Sequence, residues 1–269
     1  MKDGFYQASV GDVDAIVSYL RPHVKDCIYM YIDIAKYGLD NPNMKVWIDV
    51  KDGAINLVAM KYHTSLTVYT DDAEFDMGVI ADMMREYDIY SMTARKDLIE
   101  RVLEKCPDRY DVLYGYVFQL TSFRDYGFDE SVIEDGKIED CKEIAELVMT
   151  DEEIGSYYEV ENLAKQYAER METGMGRSYV IRDNGKMVAH IASYAEFDGV
   201  ATTSGLIVTP EFRNGLYGIA LEAYLVKRLM QDGFHVYTYV IKRLRKKFLE
   251  RMGNECIGEY GKLMIKKEA

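Results

Sequence analysis

The segment 203–233 constrains the fold of this chain most, because it predicts a strand, a turn and a helix in fixed succession. The apolar run 206–208 predicts a strand that stops at Pro210, which lacks the amide hydrogen that a sheet ladder requires. From residue 219 onward, apolar side chains recur at helical spacing until Gly233 ends the pattern. A strand followed directly by a helix is typical of a mixed α/β protein.

The turn between strand and helix, RNGLYG at 213–218, is suited to binding phosphate. Gly215 and Gly218 allow the backbone to approach a ligand closely. The helix start just beyond them adds amide groups and a partial positive charge. Glycine-bearing turns also join strands to helices in proteins that bind nothing there, so the glycines alone leave both interpretations open.

The order of residues around the turn is more specific. Val208, Pro210, Arg213 and Gly218 follow the order V-x-P-x-x-R-x-x-x-x-G. In this order the segment resembles the GNAT superfamily of N-acyltransferases, whose signature V-x-P-x-x-R-x-x-G-x-G/A binds the pyrophosphate of acyl-coenzyme A (acyl-CoA). The resemblance implies a GNAT fold for the C-terminal half. It departs at one position, since Leu216 occupies the place of the first signature glycine.

The resemblance also implies a set of cofactor contacts, with acetyl-CoA as the co-substrate. The backbone amide of Val208, with Ile207 beside it, would hold the thioester oxygen. The turn and the helix start would hold the pyrophosphate through Arg213, Asn214, Gly215, Leu216, Tyr217, Gly218 and Ile219.

The first half of the chain repeats the predicted order of elements in the second half. Segments 45–70 and 178–203 each predict three strands, and their turn glycines, Gly53 and Gly185, align. After its third strand the first half continues with 71–88, which is acidic and poor in glycine and so offers no pyrophosphate cradle. An unrelated α/β domain in the first half is the alternative interpretation.

We therefore predict two GNAT-like α/β domains, each a mixed, mostly antiparallel sheet flanked by helices. Residues 1–125 would form a degenerate N-terminal domain without a cofactor site, and residues 126–269 the acetyl-CoA-binding acetyltransferase domain. Helices are predicted at 10–20, 27–37, 77–87, 97–105, 137–148, 219–233 and 242–251.

The composition limits the partners of this 269-residue chain. Its net charge of −13 argues against nucleic acid, which needs a basic surface, whereas the acidity favours solubility and would also attract a cationic amine. No apolar run has membrane-spanning length and the N-terminus lacks a signal-peptide core, so we expect a cytoplasmic protein without a membrane partner. Four scattered cysteines lack metal-ligand and disulfide spacing, so we expect reduced thiols and no metal: Cys27, Cys106, Cys141 and Cys256.

The segment 242–251, KRLRKKFLER, predicts a basic helix in an acidic protein. Its charges form a solvated helix face in one interpretation. In the arrangement that the resemblance implies, the same helix flanks the cofactor, and its cationic side chains would face negative phosphates. The sequence leaves both interpretations open.

The resemblance implies an N-acetyltransferase that moves an acetyl group from acyl-CoA to a primary amine by direct attack in a ternary complex. Either a small molecule or a peptide would supply the amine. A non-catalytic acyl-CoA-binding pseudoenzyme, acting as a sensor, is the alternative, because the signature is altered at Leu216. The oligomeric state is left open, with a homodimer among the options.

Glu196 is the candidate general base, because it follows an apolar strand near a strand–strand turn, where many members of the resembled family use a carboxylate. An exposed hairpin acid is the alternative interpretation of Glu196. His190 on the same strand is the second candidate base, and its own alternative is a half-buried histidine with satisfied hydrogen bonds.

The general acid is where the chain departs most from the resembled family. Leu249 stands in the place of the usual tyrosine, and Lys242 stands where an asparagine is common. Tyr260 is the candidate replacement, with Tyr237 and Tyr239 as further options. The thiolate would otherwise leave without assistance. With 23 tyrosines in the chain, packing is the ordinary role of any one of them.

The acceptor is predicted to lie against the segment 154–170, which the resemblance places beside the cofactor cleft. An amphipathic helix with Leu163 and Tyr167 buried is a compatible interpretation. The segment offers an aromatic and acidic surface suited to a cationic amine or a peptide N-terminus, made by Tyr157, Tyr158, Glu159 and Glu161.

Overall fold

The computed structural model describes residues 2–87, 89–124, 126–151 and 159–266. The chain divides into two compact units. The first unit contains Met1–Val117, Val240–Lys246 and Cys256–Ala269, and the second contains Phe118–Tyr239 and Lys247–Glu255. Each unit is a mixed sheet flanked by helices, which confirms the predicted fold class.

The helices and strands follow one another closely along the chain. The strands are β1 (Gly4–Gln7), β2 (Met44–Lys51), β3 (Ala54–Tyr62), β4 (Ser65–Thr70), β5 (Ser91–Arg95), β6 (Tyr110–Leu120), β7 (Ile133–Asp135), β8 (Ser178–Asp183), β9 (Lys186–Phe197), β10 (Val200–Val208), β11 (His235–Val240) and β12 (Glu255–Ile265). The helices are α1 (Val13–Leu20), α2 (Val24–Tyr37), α3 (Gly78–Glu86), α4 (Lys96–Lys105), α5 (Cys141–Val148), α6 (Val160–Glu172), α7 (Tyr217–Gln231) and α8 (Arg243–Arg251). Each predicted helix is present, with its ends shifted by a few residues.

The first unit has its strands in the order β1-β2-β3-β4-β5-β12-β6. Successive strands from β1 to β4 are antiparallel, β4 and β5 are parallel, and β12 is antiparallel to β5. The β2–β3 hairpin turns at Asp52 and Gly53, whose φ angles of 52° and 77° confirm the two-residue turn predicted there. Apolar residues of the sheet and of α3 and α4 form one core, which includes Trp47, Leu57, Leu66, Met84, Ile99 and Leu263.

The second unit has the strand order β11-β10-β9-β8-β7. Only β10 and β11 are parallel, and the other neighbours are antiparallel. Its β8–β9 hairpin turns at Asn184 and Gly185, with φ angles of 48° and 80° that match those of the first unit's hairpin. The equivalent turns support the predicted repeat of elements.

Helices cover both faces of the second sheet. On one face, Ile144 of α5 and Leu163 of α6 pack into a core with Val180 of β8. The adjacent residue Tyr179 points to the opposite face, where its ring meets that of Tyr224 on α7 at 4.9 Å. Helix α7, which begins at the glycine-bearing turn, therefore packs on one face of the sheet, and α5 and α6 pack on the other.

The compact units differ from the predicted division at residue 125. Residues 118–124 lie in the second unit, and the C-terminal segment from 256 onward lies in the first unit. There β12 pairs with β5, with Tyr260 opposite Arg95. The sequence patterns also gave no prediction for the short strands β1, β5 and β7. Within the described ranges, no helix is long and apolar enough to cross a membrane.

Candidate functional site

The strands β10 and β11 separate near the middle of β10. Their parallel ladder joins Val200–Thr203 to His235–Thr238 and goes no further. In the described ladders, the remainder of β10, residues 204–208, is paired on only one edge, toward β9. Its other edge therefore presents backbone groups that no neighbouring strand occupies, which is the edge on which a ligand can bind.

A β-bulge lies where the two strands separate. Opposite β9, Ser204 pairs with Ala192 and Ile207 pairs with His190, so Gly205 and Leu206 together face the single residue Ile191. Gly205 has a φ angle of +63°, which residues with a side chain rarely adopt. The extra residue shifts the alternation of backbone groups for the rest of the strand.

The amide of Val208 faces the unpaired edge of β10. The next amide, that of Thr209, donates to the Val188 carbonyl on β9 at 2.9 Å. Successive amides along a strand point to opposite sides, so the Val208 N–H points away from β9. This is the orientation that the sequence prediction requires of an amide that holds a thioester oxygen. Its contact with a ligand stays a prediction.

The turn after β10 leaves amide groups available at the start of α7. The Gly215 amide donates to the Phe212 carbonyl at 3.1 Å, and the Ala220 amide donates to the Leu216 carbonyl at 2.8 Å. Between them, the amides of Leu216, Tyr217 and Gly218 donate to no acceptor in the described part of the chain. Unbonded amides at a helix start form a site for an anion.

Gly218 joins this group of amides to the end of β10. A Cβ built on Gly218 would lie 3.4 Å from Cγ2 of Val208 and 3.9 Å from Cδ1 of Leu206. A larger side chain would therefore fill the space between the helix start and the strand end. Arg213 holds the turn from the other side, since its Nε donates to the Val208 carbonyl at 3.0 Å.

Aromatic rings and a cavity lie beside the turn. The ring of Tyr217 stacks on that of Phe212, with centroids 5.6 Å apart, and meets the edge of Phe128 at 5.8 Å. A cavity of about 510 Å³ runs along α7 and is bordered by residues of the segments 121–124 and 126–130. Leu216 and Ile219, two of the predicted cofactor contacts, line it. Ile207 is buried on β10, and Asn214 is exposed in the turn.

Glu196 has partners that differ from those of a general base. Nε and Nη2 of Arg177 donate to its two carboxylate oxygens at 2.9 and 2.6 Å, and the Ser193 hydroxyl donates to the same carboxylate. Glu196 also lies seven residues along β9 from Ala189, the partner of Val208. At about 3.3 Å per residue this separation is roughly 23 Å. The geometry does not support the base assignment, which stays a prediction.

His190 is fully buried on β9, so the half-buried position expected for it is not observed. Nδ1 lies 2.9 Å from the Gly205 carbonyl and Nε2 lies 3.3 Å from the Ser178 hydroxyl. Burial lowers the pKa of His190 to about 4, although the bond to Gly205 opposes this shift. The imidazole is therefore neutral near pH 7, and both of its nitrogens are occupied.

The candidate acids occupy buried or half-buried positions. Tyr260 lies in the first unit, where its ring fills the space that a side chain at Gly115 would need, and burial raises its pKa to about 12. Burial also raises the pKa of Tyr237 on β11. Leu249 is fully buried on α8, so it packs in a core. The acid assignments stay predictions.

The predicted acceptor surface is only partly described. Tyr157 and Tyr158 lie outside the described residues. Glu159 and Glu161, at the start of α6, are exposed, while Leu163 and Tyr167 on the same helix are buried. The amphipathic helix is thus confirmed. Among the described residues, no group of three or more His, Cys, Asp and Glu side chains is arranged to hold a metal ion.

Sequence reasoning missed the residues that contact the candidate bases Glu196 and His190. Arg177 and Tyr167 are far in sequence from the groups they approach, and Ser178 shares no motif with His190. Each of these contacts depends on the pairing of strands or the packing of a helix. The only local signal is the alternation of polar residues along β9 at His190 and Ser193.

Comparison with known proteins supports the resemblance. Residues 141–253 match the family model described as the acetyltransferase (GNAT) family. No curated protein matches the chain in sequence.

Solved structures share the fold over nearly the whole chain. A Drosophila protein is 11% identical with a TM-score of 0.68, and the match covers 98% of this chain and 99% of that one. A GCN5-related N-acetyltransferase from Sphaerobacter thermophilus is 16% identical with a TM-score of 0.62, over 98% and 96% of the two chains. A tandem GNAT protein from the clavulanic acid biosynthesis pathway is 11% identical with a TM-score of 0.58, over 98% and 99%. These likenesses show the fold alone, and they confirm two GNAT-like halves.

Proposed function

We propose that the second unit binds acetyl-CoA and transfers its acetyl group to a primary amine, because residues 141–253 match the acetyltransferase (GNAT) family model. One observation carries the proposal. The outward-facing amide of Val208 and the unbonded amides of Leu216, Tyr217 and Gly218 lie at the two ends of one short turn. A thioester and a pyrophosphate of the same ligand need donors in this arrangement.

The pyrophosphate would bind at the start of α7. Three unbonded amides and the partial positive charge of a 15-residue helix favour an anion there. Arg213 is exposed beside them, and its guanidinium adds a full positive charge. The side chain of Leu216, which stands where the family signature has a glycine, is 37% exposed and lines the cavity along α7.

The acetyl group would lie against the unpaired edge of β10. There the Val208 amide would donate to the thioester oxygen and stabilise the negative charge that develops when the amine attacks the carbonyl carbon. A C–N bond forms and the C–S bond breaks. The amine loses one proton, and the departing thiolate gains one to become the free thiol of CoA. The acetyl group passes directly to the amine, without a covalent intermediate on the protein.

The acceptor would be a small molecule or a peptide with a primary amine. The exposed carboxylates of Glu159 and Glu161 support this assignment, because they would attract a cationic group. The net charge of −13 acts in the same direction over a longer range. We also propose that the protein acts in the cytoplasm, where acetyl-CoA is made available to such enzymes.

A non-catalytic acyl-CoA sensor is the second candidate function. It is favoured by Leu249, which is fully buried where a tyrosine hydroxyl is usual in the resembled family. A sensor needs the amides that bind the cofactor but does not need a proton donor for the thiolate.

Two measurements separate these functions. Calorimetry with acetyl-CoA should give one bound ligand per chain, because at the start of α3 in the described part of the first unit the Gly78 amide donates to the Asp76 carboxylate and the Val79 amide to the Asp76 carbonyl. Release of the free thiol should then accelerate when a panel of primary amines is added. A slow release that no amine accelerates, with binding intact, would favour the sensor. Absence of acetyl-CoA binding would overturn both functions.

The candidate acid is tested in the same assay. With Tyr260→Phe, an alkaline loss of the wild-type rate should disappear if this tyrosine protonates the thiolate. A pH–rate profile of Tyr260→Phe that equals that of the wild type would show that Tyr260 is not the general acid. Tyr110→Phe provides the matched control, since Tyr110 is buried in the same unit and is not a candidate acid.

A further inference from the structure

His190 occupies an unusual position for a histidine. It is 0% exposed and lies opposite Ile207 in the β9–β10 ladder. The Gly205 carbonyl can only accept a hydrogen bond, so Nδ1 must donate to it. Nε2 is then the acceptor, and the Ser178 hydroxyl donates to it. The neutral imidazole thus connects β8, β9 and the bulge of β10.

The bulge is enclosed by His190 and by Tyr167 of α6. The two rings meet edge to face at 5.4 Å and 84°. A Cβ built on Gly205 would lie 2.5 Å from the Tyr167 hydroxyl oxygen and 3.1 Å from Cε1 of His190. Gly205 is therefore held both by a hydrogen bond to its carbonyl and by the surrounding side chains.

The bulge sets the direction of the amide groups that follow it. Without the extra residue, every later group on β10 would move to the opposite side of the strand. Val208, three residues after Gly205, would then direct its N–H toward β9 and away from the unpaired edge. The contact between His190 and Gly205 is accordingly coupled to the direction of the Val208 amide.

We propose that His190 is a positioning residue, which fixes the bulge at Gly205 and thereby aims the Val208 amide at the thioester oxygen. The proposal rests on the proposed function. The His190 side chain is fully buried, so it contacts neither acetyl-CoA nor the amine. Its effect is exerted through the backbone of β10, where a displacement of about 1 Å from the productive geometry is enough to cost ~10²-fold in rate.

Two substitutions of His190 separate hydrogen bonding from packing. His190→Phe keeps a planar ring but removes both hydrogen bonds. His190→Gln keeps one donor and one acceptor, which can bridge the Gly205 carbonyl and the Ser178 hydroxyl. We expect kcat for amine acetylation to fall about tenfold to a hundredfold in His190→Phe, with KM for acetyl-CoA nearly unchanged, and to recover in His190→Gln.

The pyrophosphate contacts should not respond to these changes, because they belong to the start of α7. Acetyl-CoA affinity measured by calorimetry should therefore be similar in both variants. His235→Phe is the matched control, since His235 is exposed at the start of β11. Ser178→Ala removes only the bond to Nε2, so a smaller loss of kcat is expected.

Amide hydrogen exchange provides a readout that does not depend on turnover. Exchange at residues 206–208 should be faster in His190→Phe than in the wild type and in His190→Gln. A kcat for His190→Phe within twofold of the wild type, or an equal loss in His190→Gln, would overturn the proposal. If His190→Phe fails to fold, kcat and amide exchange are compared among the wild type, Ser178→Ala and His190→Gln instead. If the wild type shows no amine-dependent thiol release, the proposed function fails. Amide exchange at 206–208 that is unchanged in the variants would separately refute the proposal that His190 fixes the bulge at Gly205.

Discussion

The two units have the same strand, turn and helix at corresponding places, but only the second leaves its helix start open. In the first unit, the carboxylate of Asp76 accepts from the Gly78 amide at 3.0 Å, at the start of α3. Asp72 likewise accepts from the Glu74 amide at 2.8 Å. In the second unit, the corresponding amides at the start of α7 donate to nothing in the described residues.

This difference decides which helix start suits an anion. The backbone hydrogen bond from Gly78 lowers the pKa of Asp76, and that from Glu74 lowers the pKa of Asp72, so both carboxylates remain charged near neutral pH. A phosphate would meet two negative charges and occupied amides there. The amides at the start of α3 thus bond to groups of the protein itself, whereas those at the start of α7 remain available to a ligand.

The strand edges differ in a related way. Strand β4 pairs with β5 only from Ser65 to Thr67, so these strands also separate. However, β4 keeps an unbroken register with β3, whereas β10 has a bulge against β9. The ring of Tyr69 at the end of β4 lies beneath the Arg95 guanidinium, 5.7 Å away. At the separated edge of the first unit a tyrosine and an arginine side chain lie together, whereas in the second unit the Val208 amide points to the unpaired edge.

Gly218→Val should produce the largest effect. A valine side chain would occupy the space between α7 and the end of β10, and three amide contacts would be lost together. At about 1.5 kcal/mol each, acetyl-CoA affinity should fall about a thousandfold. Calorimetry measures this, while the melting temperature of the unliganded protein should change little.

Gly78→Val provides the matched control at the start of α3. It should leave acetyl-CoA affinity unchanged, since that helix start is already capped by Asp76. Equal losses of acetyl-CoA affinity in the two variants would contradict the distinction between the units. Unchanged affinity in Gly218→Val would show that the start of α7 does not bind the pyrophosphate.

The buried His190 should give the second unit a specific sensitivity to acid. Its pKa of about 4 lies below the ordinary 6.5, so the unfolded chain binds the extra proton between these values. Its contribution to stability is complete above pH 6.5 and is lost as the pH falls to about 4. At 1.36 kcal/mol per unit, the loss is roughly 3 kcal/mol.

Urea unfolding of the wild type and of His190→Gln at pH 7 and pH 4.5 measures this contribution, because all other titrating groups are shared. The wild type should lose more stability than the variant. Parallel losses in the two proteins would show that His190 is not held neutral by burial.

Glu196→Gln should weaken the second unit, because it removes the charge that pairs with Arg177. We expect a loss of about 1.5–3 kcal/mol in the free energy of unfolding. The exposed Glu146 gives a control, Glu146→Gln, with little effect. If kcat instead falls in Glu196→Gln while stability is kept, this result would support the base assignment made from the sequence.

Leu216→Asp would place a capping carboxylate at the start of α7, as Asp76 does at the start of α3. We expect the smallest effect from this change. Leu216 stands two residues before Gly218, as Asp76 stands two before Gly78. The new carboxylate should accept from the Gly218 amide, stabilise the unliganded protein by about 0.5–2 kcal/mol and weaken acetyl-CoA binding about tenfold.

Leu216→Asn separates the cap from its charge. It should stabilise the helix start similarly but weaken acetyl-CoA binding less. Wild-type affinity in Leu216→Asp, measured by the same calorimetry, would show that the open amides of α7 are not what distinguishes the two units.

The sequence by itself determined the elements whose causes are local. The Asp52–Gly53 and Asn184–Gly185 turns follow from residues that tolerate positive φ angles, and the strand, turn and helix from Thr203 to Gly233 follow from apolar spacing and Pro210. The acidic segment before α3 could also be recognised from the sequence, because its carboxylates accept from amides only two residues further along the chain. Each of these features depends on neighbours in the chain.

Only the tertiary structure decided which distant residues meet. Glu196 pairs with Arg177, 19 residues earlier, and this contact exists because β8 leads into register beside β9. The carbonyl of Gly205 reaches His190 only because a bulge shifts one strand against another. Strand β12 joins the first unit through its ladder with β5. Such pairings are selected by the burial of whole faces and the closure of long loops, which no local pattern encodes.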